Sequence, residues 1–270
     1  MKLFFRKYGE AGPPLVIVHG LYGSGDNWVT IARELSDRFE VYVLDQRNHG
    51  QSPHSEVHDY PAMREDLKKF MDVEGIEQAV LIGHSMGGKT IMSFAMEWPG
   101  RVASLIALDI APKSYSKLAL ASRKAPNHSG MIEALMVLDL EHAESRDALD
   151  LGLRPRIGSE RIRSFLLKNV RRDGSGKFSW RINLEALNSN LENIFEGMDP
   201  DSVKTEGGVT GFPALFISGA NSDYILPEDH QLIRAIFPTA EFVTIPGAGH
   251  WLHAEQPALL VKTIRYFLDI

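Results

Sequence analysis

The segment GHSMG at residues 83–87 holds the side chain best suited to chemistry, because it fits the pattern G-x-S-x-G. The apolar run Ala79–Ile82 precedes it and a stretch with helical spacing follows it, which is the strand–turn–helix context of a nucleophilic serine. So sharp a turn strains the serine and crowds the positions two residues away, where Gly83 and Gly87 carry no side chain. The pattern predicts that Ser85 is a nucleophile.

A serine at its usual pKa is a weak nucleophile and needs a neighbouring base. Among the ten histidines, His250 ends the segment GAGH, after the last predicted strand and before the last predicted helix. From that position its ring could reach back over the sheet edge. His253, three residues later, is the alternative, whereas His84 lies within the turn itself and is expected to pack away from Ser85.

A histidine base needs a carboxylate that orients it. Two aspartates follow predicted strands: Asp109 comes directly after Ile106–Leu108, and Asp223 lies in the loop after Ala214–Ile217. Spacing alone leaves both candidates open.

The negative charge that develops on an attacked carbonyl needs two N–H donors. Met86, directly after the serine, offers one backbone N–H. The segment HGLYG at residues 19–23 follows the first apolar strand and offers the N–H of Leu21. We therefore assign an oxyanion hole to these two N–H groups.

The composition narrows the class of protein. The 270 residues include 44% hydrophobic and 24% charged residues, which is typical of a globular chain, and the formal net charge is −6. The absence of cysteine excludes a thiol nucleophile and cysteine-ligated metals. The negative charge gives no reason to expect a nucleic-acid partner. No metal-binding spacing or phosphate-binding loop is evident, so we expect no cofactor.

The first residues do not have the pattern of a signal peptide, because Arg6 and Lys7 interrupt the run Leu3–Phe5. No stretch approaches the ~18 apolar residues of a membrane-spanning helix. We therefore expect a soluble, cytoplasmic protein that acts on a small molecule.

Strand and helix signals alternate at both ends of the chain. Apolar runs predict strands at Leu15–Val18, Phe39–Leu44, Ala79–Ile82, Val102–Leu108, Ala214–Ile217 and Glu241–Ile245. Helical spacing predicts helices at Asp26–Asp37, Asp59–Glu74, Gly87–Trp98, Pro227–Phe237 and Pro257–Leu268. Strands this apolar, separated by helices, indicate an α/β fold with a mostly parallel central sheet and helices on both faces.

Residues 113–210 interrupt this alternation. Strand signals nearly vanish there, while Met131–Leu140, Ser159–Val170 and Leu184–Phe195 have helical spacing. We predict one core, formed by residues 1–112 and 211–270, and a helical lid formed by residues 113–210.

Four segments together resemble the α/β-hydrolase family: HGLYGS at 19–24, DQRNHGQS at 45–52, GHSMGGK at 83–89 and GAGH at 247–250. The segment RNHG at 47–50 and Lys89 more narrowly resemble the YbfF-type esterases of bacteria and their mitochondrial relatives. The resemblance covers nearly the whole chain in order. It implies an α/β-hydrolase fold with a lid, and hydrolysis of carboxylic esters and acyl thioesters without a cofactor.

The resemblance also bears on the acid. Most α/β-hydrolases carry it after the strand interpreted here as Leu215–Ile217, at a position that is Ser222 in this chain. The YbfF-type branch places an aspartate one strand earlier, in a motif that residues 109–112 match, with a serine at the later position. The resemblance thus implies Asp109 as the acid and Ser222 beside it, with Asp223 as the alternative.

The predicted lid is basic: between Leu151 and Arg181 lie nine lysines and arginines against two acidic residues. Such charges could attract an anionic leaving group such as the phosphates of coenzyme A, although a solvated helix face is the simpler explanation. Lys89 receives no chemical role.

These residues predict a serine esterase or thioesterase that forms an acyl-enzyme. The same side chains would serve a C–C bond hydrolase or a lyase, and a ligand receptor on the same fold is the non-enzymatic alternative. Haloalkane dehalogenases and epoxide hydrolases are disfavoured, because they need an aspartate in place of Ser85.

Overall fold

A seven-stranded sheet forms the centre of the protein in a computed structural model that describes residues 1–116, 127–200 and 207–270. The strands are β1 (Phe5–Tyr8), β2 (Pro14–Val18), β3 (Glu40–Leu44), β4 (Ala79–His84), β5 (Val102–Leu108), β6 (Val170–Arg172), β7 (Phe178–Trp180), β8 (Ala214–Gly219) and β9 (Ala240–Ile245). The order in the central sheet is β1-β3-β2-β4-β5-β8-β9. The edge strand β1 is antiparallel to β3 and the other pairs are parallel, which confirms the predicted sheet.

Helices cover both faces of this sheet. They are α1 (Val29–Leu35), α2 (Tyr60–Val73), α3 (Met86–Glu97), α4 (His128–Met136), α5 (Arg146–Leu153), α6 (Glu160–Leu167), α7 (Leu184–Ser189), α8 (Leu191–Phe195), α9 (Asp229–Ile236), α10 (Leu252–Glu255) and α11 (Pro257–Phe267). An apolar cluster on one face takes Leu67, Phe94 and Ile233 from α2, α3 and α9. The cluster on the other face takes Ile31 from α1 and Leu260 from α11.

The strand β2 shows why its sequence is apolar throughout. Val16 and Val18 belong to the first cluster, and Leu15 and Ile17 belong to the second. Successive side chains of a strand point to opposite faces, so a strand between two helical layers buries every one of them. All four residues are at most 1% exposed.

The start and end of α2 follow local signals. The carboxylate of Asp59 accepts a hydrogen bond from the N–H of Ala62 at 2.8 Å, which caps the helix. Gly75, with a positive φ of 68°, follows the helix at its other end. The helix is observed at Tyr60–Val73, within the range Asp59–Glu74 that the helical spacing predicts.

Helices α4 to α8 and the hairpin of β6 and β7 lie between β5 and β8 in the chain; we call them the insertion. They share an apolar cluster with the core residues Leu21, Tyr22, Tyr60, Met63 and Met86. The insertion is thus packed onto the turn that carries Ser85. Residues 117–126 and 201–206 of the predicted lid lie outside the described residues, and a lid stays a prediction.

The observed elements differ from the predicted ones mainly in the insertion. The strands β6 and β7 pair antiparallel in a region where the sequence predicts almost no strands. Each strand has only three residues, which is too few to produce a recognisable periodic pattern. The predicted helix Leu184–Phe195 divides at Asn190 into α7 and α8. Helix α5 and the short edge strand β1 are observed where no element was predicted from the sequence.

Candidate active site

The turn between β4 and α3 holds Ser85 in a strained conformation, with φ of 52° and ψ of −120°. A Cβ on Gly83 would lie 2.4 Å from the carbonyl oxygen of Gly87, and a Cβ on Gly87 would lie 2.2 Å from that of Val18. Both distances are far below van der Waals contact, so a side chain at either position would displace the backbone. Ser85 also precedes the first turn of α3, where the helix dipole favours negative charge.

His250 lies within hydrogen-bonding distance of both Ser85 and Asp109. The Oγ–H of Ser85 donates to Nε2 of His250 at 3.1 Å, and the Nδ1–H of His250 donates to Oδ2 of Asp109 at 2.8 Å. Because an ionised carboxylate only accepts, this tautomer leaves Nε2 free to take a proton from the serine. The structure thus brings together the residues predicted as nucleophile, base and acid.

Asp109 is fully buried and is held by two further donors. The N–H of Gly219 donates to its Oδ1 at 3.0 Å, and the hydroxyl of Ser222 donates to its Oδ2. These bonds offset the cost of burying a charge. The geometry favours Asp109 over Asp223 as the partner of His250, and it places Ser222 beside that acid.

The ring of Tyr224 stacks on the ring of His250, with the centroids 3.8 Å apart and the planes at 21°. The hydroxyl of Tyr224 lies 3.0 Å from Nε2 of His128, and its carbonyl oxygen accepts from the hydroxyl of Tyr115 at 2.7 Å. Both ends of Tyr224 are therefore anchored, and it holds the imidazole in one plane. Neither Tyr224 nor the buried His128 is predicted here from the sequence, where His128 lies in a polar stretch typical of a solvated residue. Contacts between distant segments leave no spacing signal.

His253, the alternative base, stacks on Trp28 with the ring centroids 4.4 Å apart. The Nε2–H of His84 donates to the carbonyl oxygen of His250 at 2.7 Å, so His84 packs beside the site as expected. Burial lowers the pKa of His253 to about 3 and that of His84 well below its usual value. Both rings stay neutral at neutral pH, and neither places a second positive charge next to His250.

The turn that follows β2 lies against Ser85. A Cβ on Gly20 would be only 3.1 Å from the Cβ of Ser85, and the N–H of Gly23 closes the turn by donating to the carbonyl oxygen of Gly20 at 3.0 Å. Leu21 lies within this turn, and Met86 follows the serine directly. Their use as oxyanion donors stays a prediction.

A family model described as the alpha/beta hydrolase fold matches residues 13–257. The chain belongs to the α/β-hydrolase family. The match confirms the resemblance on which the sequence analysis relied. The serine turn, the buried aspartate and the histidine loop follow the carboxyl ends of β4, β5 and β9, which lie at one edge of the parallel sheet.

Two curated proteins and one solved structure are similar to this chain over nearly its whole length. The chain is 36% identical over 262 residues to the mouse sn-1-specific diacylglycerol lipase ABHD11, covering 95% of this chain and 81% of that protein. It is 36% identical over 256 residues to the esterase YbfF of Escherichia coli, covering 95% and 93% of the two chains. A solved structure named as a marine microorganism esterase has 46% sequence identity and a TM-score of 0.91, covering 98% and 99%.

Lys89 is fully buried in this hydrolase. Its ammonium group donates to the carbonyl oxygens of Phe195 and Glu196, and the rings of Tyr60 and Tyr115 flank it at 5.5 and 4.8 Å. Burial lowers the pKa of Lys89 to about 7. The side chain thus ties α3 to the end of α8 and leaves the reacting groups untouched.

Four of the nine basic residues in the basic stretch of the insertion form ion pairs with residues that the structure describes. These pairs join Arg154 and Arg163 to Asp150, Arg161 to Glu255, and Arg181 to Asp26. Arg163 is buried, so its pair with Asp150 ties α6 to α5, while Arg161 and Arg181 contact the core with more exposed side chains. For these residues the contacts favour the structural explanation of the charge.

The described residues contain neither a metal-binding cluster nor a membrane-spanning helix. Within residues 1–116, 127–200 and 207–270, no group of three or more histidine, aspartate or glutamate side chains is arranged to hold a metal ion. Over the same ranges, no helix has both the length and the apolarity needed to cross a bilayer.

Proposed function

We propose that this α/β-hydrolase is a serine hydrolase that cleaves carboxylic esters through an acyl-enzyme intermediate. The observation that carries the proposal is the continuous hydrogen-bonded path from Ser85 through His250 to Asp109. The names of the relatives, esterase and lipase, agree with this class of reaction.

The reaction begins with attack of the Ser85 Oγ on the acyl carbonyl carbon, while Nε2 of His250 takes the hydroxyl proton. Asp109 accepts the Nδ1–H of His250 and stabilises the imidazolium that forms. The C–O bond to the alcohol then breaks, and His250 returns the proton to the leaving oxygen. A water molecule, deprotonated by the same histidine, hydrolyses the acyl-enzyme and releases the carboxylic acid.

The oxyanion formed in each step is assigned to the N–H groups of Leu21 and Met86. Loss of one such donor typically costs about 3–4 kcal/mol of transition-state stabilisation. The closeness of the Gly20 turn to Ser85 supports this assignment, since donors must surround the attacked carbonyl. We also propose that residues 113–210 act as a lid, because the insertion packs on Leu21 and Met86.

Acyl thioesters belong to the same proposal, because the serine attacks their carbonyl in the same way and a thiolate leaves more readily than an alkoxide. The engaged arginines give little support for attraction to coenzyme A phosphates. We therefore base the thioester proposal on the acyl chemistry alone. A panel of p-nitrophenyl esters and acyl-CoA compounds of graded chain length tests both substrate classes and the preferred acyl length.

A fluorophosphonate probe tests the central assignment, because it labels only an activated serine. We expect stoichiometric labelling of Ser85 and a burst of p-nitrophenol from p-nitrophenyl butyrate. In Ser85→Ala, labelling and turnover should vanish, whereas the control Ser93→Ala, on the same helix, should keep both. Full esterase activity in Ser85→Ala would overturn the proposal.

A further inference from the structure

The main chain around His250 is held by hydrogen bonds on two sides, and the side chain of Glu255 makes one of these bonds. We propose that Glu255 is a positioning residue that sets the distance between His250 and Ser85, an inference that rests on the proposed function. Its carboxylate acts on the peptide before the histidine and does not contact the reacting atoms.

The carboxylate of Glu255, at the end of α10, turns back onto the peptide that precedes His250. The N–H of Gly249 donates to Oε2 of Glu255 at 2.6 Å, and the N–H of Glu255 donates to the carbonyl oxygen of Trp251 at 2.9 Å. These two bonds close a small ring of chain around the histidine. On its other side, His84 holds the carbonyl oxygen of His250.

Close packing gives the peptide at Gly249 little room. A Cβ on Gly219, at the end of β8, would lie 2.4 Å from the carbonyl oxygen of Gly249, and a Cβ on Gly249 would lie 3.3 Å from Oε2 of Glu255. The N–H of Asn221 also donates to the carbonyl oxygen of Ala248 at 2.8 Å. The peptide at Gly249 passes between β8 and the carboxylate of Glu255. Removing this carboxylate therefore leaves the peptide held on the β8 side alone.

The strength of this contact suits a positioning role. A hydrogen bond to an ionised carboxylate is roughly twice as strong as one between neutral groups. The side chain of Glu255 is only 13% exposed, so water screens the bond little. Because a shift of about 1 Å in a reacting group can cost about 100-fold in rate, a small slackening of this loop has a large kinetic effect.

Arg161, on α6 of the insertion, also contacts Glu255, with 3.3 Å between its guanidinium nitrogen and Oε1. Its side chain is 54% exposed, and exposed ion pairs contribute little. The positioning effect therefore resides in the bond from Gly249, and the insertion adds a smaller contribution through Arg161.

Turnover of p-nitrophenyl butyrate, expressed per fluorophosphonate-labelled site, tests the proposal. In Glu255→Ala, we expect kcat per labelled site to fall about 10- to 100-fold while KM changes less than about two-fold. Glu255→Gln keeps an acceptor for the Gly249 N–H, so its kcat should stay within about three-fold of the wild-type value.

Two control variants separate positioning from general stability. Glu160→Ala removes an exposed acid at the start of α6 and should leave kcat unchanged, and Arg161→Met should change it less than about two-fold. If Glu255→Ala lowers only the labelled fraction, with kcat per labelled site unchanged, Glu255 contributes stability alone and the proposal fails. Turnover by Ser85→Ala would instead overturn the proposed function, so the two failures are distinguishable.

Discussion

The buried imidazole of His253 makes the stability of this protein depend on pH. Burial lowers its pKa from 6.5 to about 3 in the folded state, and the charges of His250 and Lys168 act in the same direction. Below pH 6.5 the unfolded chain binds a proton that the folded protein does not bind. The stabilising contribution of the neutral ring is therefore complete above pH 6.5 and is lost as the pH falls towards 3.

The magnitude follows from proton linkage. Between pH 7.5 and 5.5, proton uptake by one such histidine lowers the unfolding free energy by about 1.4 kcal/mol. His253→Phe removes the titrating group and keeps a ring to stack on Trp28. Among the residues that the structure describes, Nδ1 of His253 has no hydrogen-bond partner, so the substitution breaks no bond seen at that atom. We expect the loss of unfolding free energy over this interval to be about 1.4 kcal/mol smaller in the variant.

Urea unfolding at pH 7.5, 6.5 and 5.5, followed by circular dichroism and extrapolated to water, measures this difference. The control is His142→Asn. The hydrogen bond from His142 to Asp139 raises the pKa of that exposed histidine, so its removal should not reduce the acid sensitivity. An identical pH dependence in His253→Phe and the wild type would refute the reasoning.

Three further predictions concern the acid, the buried lysine and the serine turn. Asp109→Asn should lower kcat for p-nitrophenyl butyrate about 10⁴-fold and Asp223→Asn less than about three-fold, whereas the reverse pattern would assign the acid to Asp223. Burial lowers the pKa of Lys89 from 10.5 to about 7, so between these pH values the unfolded chain binds more protons than the folded protein. The free energy of unfolding should therefore rise by about 1.4 kcal/mol for each unit by which the pH increases in this range. Urea unfolding of Lys89→Met at pH 7.5 and 9 should show that rise abolished, and a retained rise would contradict this account. Gly87→Ala places a Cβ 2.2 Å from the Val18 carbonyl oxygen and should abolish the cooperative unfolding transition, while Gly100→Ala, which meets nothing within 4 Å, should keep the wild-type Tm.

The central strands and the serine turn are predictable because their signals are local. β5 is observed at Val102–Leu108, the range that its apolar run predicts, and β4 extends the predicted Ala79–Ile82 by two residues. A strand buried on both faces needs apolar residues throughout, and a turn as tight as that at Ser85 needs glycine around it. Both requirements can be recognised within a few residues of sequence.

The remaining features depend on which distant segments meet. Asp109 and Asp223 both follow strands, and only the order β4-β5-β8 explains why Asp109 is next to the serine turn. The family resemblance implied this choice, while spacing alone left it open. The stacking of Tyr224 on His250, the bond from Gly249 to Glu255 and the burial of Lys89 are likewise tertiary contacts, which periodicity does not encode.

Ser85 and His250 stand 165 positions apart in the chain. During synthesis, the ribosome therefore releases the serine turn long before the histidine exists. A serine without a base is a poor nucleophile, so the proposed mechanism predicts that the growing chain, or one truncated before β9, does not hydrolyse esters. Under the proposed mechanism, the onset of esterase activity during refolding therefore reports that His250 has docked beside Ser85.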